Sequence, residues 1–201
     1  CNWERVEKNL PYFGFDTTMP IYLGVLPRDG ESKDMKWFKG SNLFCSHVMN
    51  AFNDGSKIHF DVPVAKNNMF PFFPDVHGEP FKPQEAASHM TRWTVDFNSK
   101  GDEFESMEKM TDMVGEFPRI DDRYATQQHD YGWLLVMDQT KQFNGPGGRA
   151  SGLMLNKLGY MDFLTGKQSE WRCGPDSVIQ EPCFVPRSPD SPQGDGYIIA
   201  L

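Results

Sequence analysis

Apolar residues in this chain recur at every second position in short runs, and the runs end at Gly, Asn, Asp or Pro. A period of two buries one face of a β-strand, whereas an amphipathic helix needs spacings of three and four, which are scarce here. The pattern predicts an all-β protein. Its strands are expected over residues 21–26, 35–39, 45–53, 57–62, 90–97, 133–138, 153–157, 168–173 and from 197 onward. Asp54-Gly55-Ser56 should close a hairpin between the third and fourth of these.

Two stretches resemble one another. Residues 92–101 and 158–166 each carry an apolar residue, then Asp-Phe, then a polar turn closed by Gly. A strand, an acidic turn and a second strand repeated tens of residues apart favours the blades of a propeller over a sandwich. Residues 66–84 and 115–132 read as irregular and aromatic-rich, the composition of ordered loops that cover a site.

The charge balance excludes one large class of function. With 20 Lys+Arg against 28 Asp+Glu the net charge is −8, and a general nucleic-acid binder needs a basic face. With 18 Gly and 15 Pro in 201 residues the chain falls short of a low-complexity composition. No apolar run is long enough for a membrane helix, and Cys1-Asn2-Trp3-Glu4-Arg5 has neither an initiator Met nor the apolar core of a signal peptide. The expectation is one incomplete domain over residues 1–201, beginning in mid-protein and stopping as a strand begins at Tyr197. The four cysteines, at 1, 45, 173 and 183, form no CxxC pair and no disulfide framework, so a reducing cytoplasm is expected.

Few residues are placed for chemistry. If 45–53 is one strand, Cys45, His47, Met49 and Ala51 share a face, and His47 points inward among apolar neighbours. Such a histidine is either a hydrogen-bonded core residue or a metal ligand. Cys45-x-His47 offers two same-face zinc ligands but no second pair at zinc spacing. His59, His77, His89 and His129 are scattered and form neither HxH nor HExxH. Glu116 and Glu181 sit among aromatic residues and prolines, where they are either solvated loop acids or carboxylates held by strong donors such as an imidazole N–H. Gly145-Pro146-Gly147-Gly148-Arg149 lacks the Lys-Ser/Thr of a phosphate loop and reads as a turn.

A set of short motifs then adds a family. Tyr22-Leu23-Gly24-Val25-Leu26-Pro27-Arg28, Trp37-Phe38, His47-Val48-Met49-Asn50-Ala51-Phe52 followed by Gly55, Thr91-Arg92-Trp93, Gly115-Glu116-Phe117-Pro118-Arg119 and Glu181-Pro182-Cys183-Phe184-Val185-Pro186-Arg187-Ser188-Pro189-Asp190 occur in one order over nearly the whole chain. Together they resemble the carotenoid cleavage oxygenase superfamily, within it the bacterial lignostilbene dioxygenase and isoeugenol monooxygenase branch. The resemblance implies a seven-bladed β-propeller, of which this chain is a part, with iron(II) on the axis held by four histidines. It implies that His47 is the third of those ligands, with two before Cys1 and the fourth in a His-Gly motif beyond Leu201. It implies too that Glu116 and Glu181 accept hydrogen bonds from ligand imidazoles, Glu116 from His47 and Glu181 from the fourth histidine.

Four neutral imidazoles leave positions open for dioxygen beside an apolar olefin, and carboxylates behind them fix ring orientation. The activity implied is O₂-dependent cleavage of the carbon–carbon double bond of a phenylpropenoid or stilbene to aromatic aldehydes. The alternatives are cleavage of an apocarotenoid, or a propeller that has lost its iron and serves as a binding module. The resemblance leaves the oligomeric state open.

Overall fold

The computed structural model describes residues 2–138 and 154–201, so the Gly145–Arg149 turn and Cys1 lie outside the described residues. Its strands are β1 (Tyr22–Val25), β2 (Lys36–Lys39), β3 (Asn50–Asp54), β4 (Lys57–Val64), β5 (His89–Asp96), β6 (Ser106–Lys109), β7 (Gly115–Arg119), β8 (Tyr131–Met137), β9 (Leu155–Asp162), β10 (Gln168–Arg172), β11 (Cys183–Pro186) and β12 (Gly196–Ile199). The longest helical element among the described residues is five residues, Trp3–Glu7. No helix of the described residues is long and apolar enough to cross a membrane. The protein is all-β.

Two four-stranded antiparallel meanders dominate, β3-β4-β5-β6 and β7-β8-β9-β10, and the pairs β1-β2 and β11-β12 flank them. A four-stranded meander is the unit from which propeller blades are made. The two similar sequence stretches occupy the same place in each: residues 92–101 turn β5 into β6, and residues 158–166 turn β9 into β10. The Asp does the same work in both turns. Asp96 Oδ1 accepts from the Asn98 N–H at 2.9 Å, and Asp162 Oδ1 accepts from the N–H groups of Leu164 and Thr165 at 2.9 and 3.0 Å. A short carboxylate that caps its own turn explains why Asp recurs there.

The strand expected over 45–53 is shortened. Six residue steps separate Phe44 from Asn50, whereas four separate their partners Ala65 and Asp61 on the opposite chain. The segment 45–49 therefore carries two residues more than β4 can pair. Pro63 accounts for the break. Asp61 and Ala65 both turn their backbone groups toward this segment, through Met49 N–H to Asp61 C=O at 2.7 Å and the reciprocal Phe44–Ala65 bonds, so Pro63 between them faces it without an N–H. Residues 115–132, expected to be irregular throughout, contain β7 and the first residues of β8. Residues 66–84 are irregular as expected.

The core lies between the meanders. Met49 beside β3 and Met90 of β5 meet Met113, Ile120, Leu134, Val136 and Met161 on the second unit in one buried cluster. Four thioethers suit this joint, because unbranched Met side chains fill the irregular gap between two twisted sheets. Ser88 sews the units together: its carbonyl accepts from the Gly115 N–H at 3.0 Å and its hydroxyl donates to the Gly115 carbonyl at 2.5 Å.

Candidate metal centre

His47 sits in the bulged segment, outside the β3 ladder, with its side chain 44 % exposed. This corrects the strand position expected from alternation. The bulge carries the imidazole across to the second unit, where its Nδ1 lies 2.7 Å from Oε2 of Glu116, a residue whose side chain is 7 % exposed. Three donors surround that buried carboxylate. The Phe117 N–H donates to Oε2 at 2.7 Å, the Ser46 hydroxyl donates to Oε1, and His47 completes the set. A carboxylate that accepts a hydrogen bond from Nδ1–H leaves Nε2 unprotonated with its lone pair exposed, the tautomer that binds metals.

Glu116 is set in place by a bulge of its own. On β7 three residue steps lead from Glu116 to Arg119, against two between their partners Leu135 and Trp133 on β8. The extra residue is absorbed by Phe117, which has φ +53°, and by Pro118, which needs no ladder partner. A bulky side chain in the left-handed region is costly and persists only where surrounding contacts hold it. Here its ring packs on the His47 imidazole with centroids 4.7 Å apart. Gly115 precedes it because a Cβ there would lie 2.3 Å from the Leu135 carbonyl oxygen.

Burial first, and the negative charge of Glu116 second, push the Cys45 thiol above its usual range. A thiolate ligand beside His47 is thereby disfavoured. Beside the imidazole opens a cavity of about 60 Å³, walled by Met69, Phe70, Phe117, Met137 and Leu155. A larger open groove of about 660 Å³ runs between β1 and the β3–β4 hairpin and touches none of the predicted site residues.

Glu181 is not brought to His47. It is exposed and pairs with Arg119 Nη1 at 3.1 Å, on the strand that carries Glu116. His129 and Asp61, neither expected at a site, form a fully buried group beneath the bulge: His129 Nε2 lies 3.3 Å from Asp61, which also takes both ends of Arg92 at 2.8 and 2.7 Å. Asn50 joins them, with Nδ2 3.0 Å from His129 Nδ1. Among the described residues no group of three or more His, Cys, Asp or Glu stands close enough to hold a metal. The chemistry of His47 and Glu116 nevertheless fits one imidazole ligand with its carboxylate.

A family model described as retinal pigment epithelial membrane protein, RPE65, matches residues 1–201. The chain belongs to the RPE65, or carotenoid cleavage oxygenase, family. Within this family it is 54 % identical over 203 residues to lignostilbene-alpha,beta-dioxygenase isozyme III of Sphingomonas paucimobilis, covering all of this chain and 41 % of that protein. It is 35 % identical to the isoeugenol monooxygenase of Pseudomonas putida, over 98 % of this chain and 41 % of that one. Among solved structures, the lignostilbene dioxygenase of Pseudomonas brassicacearum superposes with a TM-score of 0.89 at 37 % identity, over 98 % of this chain and 41 % of that chain. This carotenoid oxygenase chain thus spans about two fifths of the length of the curated relatives it matches.

Proposed function

We propose that this chain is part of a non-haem iron(II) oxygenase that cleaves the carbon–carbon double bond of a phenylpropenoid or stilbene with O₂, giving aromatic aldehydes. One observation carries the reading. In a chain so similar to lignostilbene dioxygenases, a histidine is bonded through Nδ1 to a buried carboxylate, which leaves Nε2 free to bind a metal. The remaining ligands come from outside these residues, in a seven-bladed propeller to which the two meanders contribute. Iron(II) bound there would supply a centre that binds dioxygen beside the olefin.

This chain's own residues do the rest. His47 holds the metal through Nε2. Glu116 accepts a hydrogen bond from Nδ1–H, which keeps the proton on that nitrogen and raises the basicity of the ring. Phe70 and Phe117 present apolar ring surface next to His47, which excludes water and suits a flat aromatic olefin. Glu181 serves a second ligand imidazole, with Arg119, at the end of β7 away from Glu116, holding it in place. The double bond and the O–O bond of dioxygen break, and each former alkene carbon takes up one oxygen atom and leaves as an aldehyde.

The test uses the whole protein that carries this chain, loaded with iron. Incubation with isoeugenol, a hydroxystilbene and an apocarotenal should yield aldehydes from the phenolic olefins, and turnover of the apocarotenal alone would overturn the substrate class. His47→Ala should remove the iron and the activity while the protein stays folded. Iron content equal to wild type would take His47 out of the ligand set.

A further inference from the structure

We propose that Ser46 is a positioning residue of this centre, whose hydroxyl fixes both the rotation of the Glu116 carboxylate and the tautomer of His47. The proposal rests on the metal reading above and concerns a residue that the sequence did not single out.

The last torsion of a glutamate side chain is soft, so its carboxylate plane is set by the donors that meet it. Glu116 meets donors on both oxygens. The Phe117 N–H and the His47 Nδ1 both approach Oε2 at 2.7 Å, while the Ser46 hydroxyl donates to Oε1. Without the hydroxyl, Oε1 of a buried carboxylate would have no described donor, and the plane could turn until the two oxygens shared the imidazole. Loss of one donor from a buried charged group carries a large penalty.

The same hydroxyl restricts the ring. Its oxygen lies 3.2 Å from His47 Nδ1 as well as bonding Glu116. A serine hydroxyl has one proton, and here it is committed to Oε1. Toward the imidazole Ser46 therefore acts as an acceptor only. Both neighbours of Nδ1, the Glu116 carboxylate and the Ser46 oxygen, demand a proton on that nitrogen. The proton cannot move to Nε2 without leaving two acceptors facing a bare nitrogen, so Nε2 stays open for a metal. The two-residue bulge makes this possible, because it lifts Ser46 and His47 together out of the ladder and over to the second unit.

The experiment reads cobalt(II) binding by its visible absorption, against a competing chelator, in the whole protein. Ser46→Ala should weaken cobalt about 10- to 100-fold and alter the absorption band. Ser46→Thr, which keeps the hydroxyl, should restore both, with unchanged circular dichroism in either variant. Wild-type affinity and spectrum in Ser46→Ala would overturn the role and leave the metal reading standing. Equal losses in the Ala and Thr variants would overturn it too, since the hydroxyl would then not be the cause. If the wild-type protein and His47→Ala bind cobalt alike, the metal reading fails and this role fails with it.

Discussion

Asp61 shows at a single residue how the site is anchored. Burial alone would raise its carboxyl, but the hydrogen bonds from Arg92, with His129 Nε2 3.3 Å away, outweigh that and hold it below its usual value of 3.8. A carboxyl with a depressed folded pKa binds fewer protons folded than unfolded. Its contribution to stability is present above the unfolded value and is lost as the pH falls through the folded one. The melting temperature of wild type should therefore exceed that of Asp61→Asn most at pH values well above 3.8, and the gap should narrow as the pH falls below 3.8. A gap that widens on acidification would contradict the pairing. Asp61→Ala, which strands Arg92 and His129, should cost about 3–5 kcal/mol in denaturant unfolding. Single residues were unevenly legible in the sequence. His47 and Glu116 stood out because they lie in recognisable motifs. Ser46, Asp61 and His129 did not, because their roles depend on partners 70, 31 and 79 positions away, Glu116, Arg92 and Asn50 in turn, and no local pattern reports such distances.

At the scale of the element, β7 decides the site. Gly115 lies so close to the Leu135 backbone that no side-chain rearrangement can make room for a methyl group. Gly115→Ala should lower stability by about 1–3 kcal/mol, measured by denaturant unfolding, and weaken metal binding as the Glu116 bulge shifts. Wild-type stability would mean that β7 and β8 separate more easily than their pairing indicates. Most strands were legible from alternation alone, and the two Asp-Phe turns even fell at equivalent places in both meanders. β6, β7 and β11 were not; in β7 the Gly, Pro and bulge erase the period of two that marks a strand, and β6 and β11 are only four residues each. The early start expected for β3 failed for a related reason: Pro63 breaks the pairing from the opposite strand, where a reading of residues 45–53 does not look.

For the whole molecule, the proposed centre would take one imidazole, that of His47, from the described residues, where no group of three or more His, Cys, Asp or Glu stands close enough to hold a metal, and metal affinity depends on several ligands being held together. The 201-residue chain expressed alone should therefore retain little iron by metal analysis, and stoichiometric iron would require a ligand set other than the one proposed. The joint between the two meanders carries a further consequence, for how the protein ages. Met49, Met90, Met113 and Met161 fill that joint, and Met69 and Met137 line the cavity beside His47. If the proposed dioxygen chemistry takes place at His47, an escaping oxidant would find the thioethers of Met69 and Met137 in the same cavity. Each sulfoxide would set a polar group into the seam that holds the two halves together. On the proposed function, wear in such a molecule would accumulate with use, from the cavity outward, and its working life would be counted in turnovers as well as in hours.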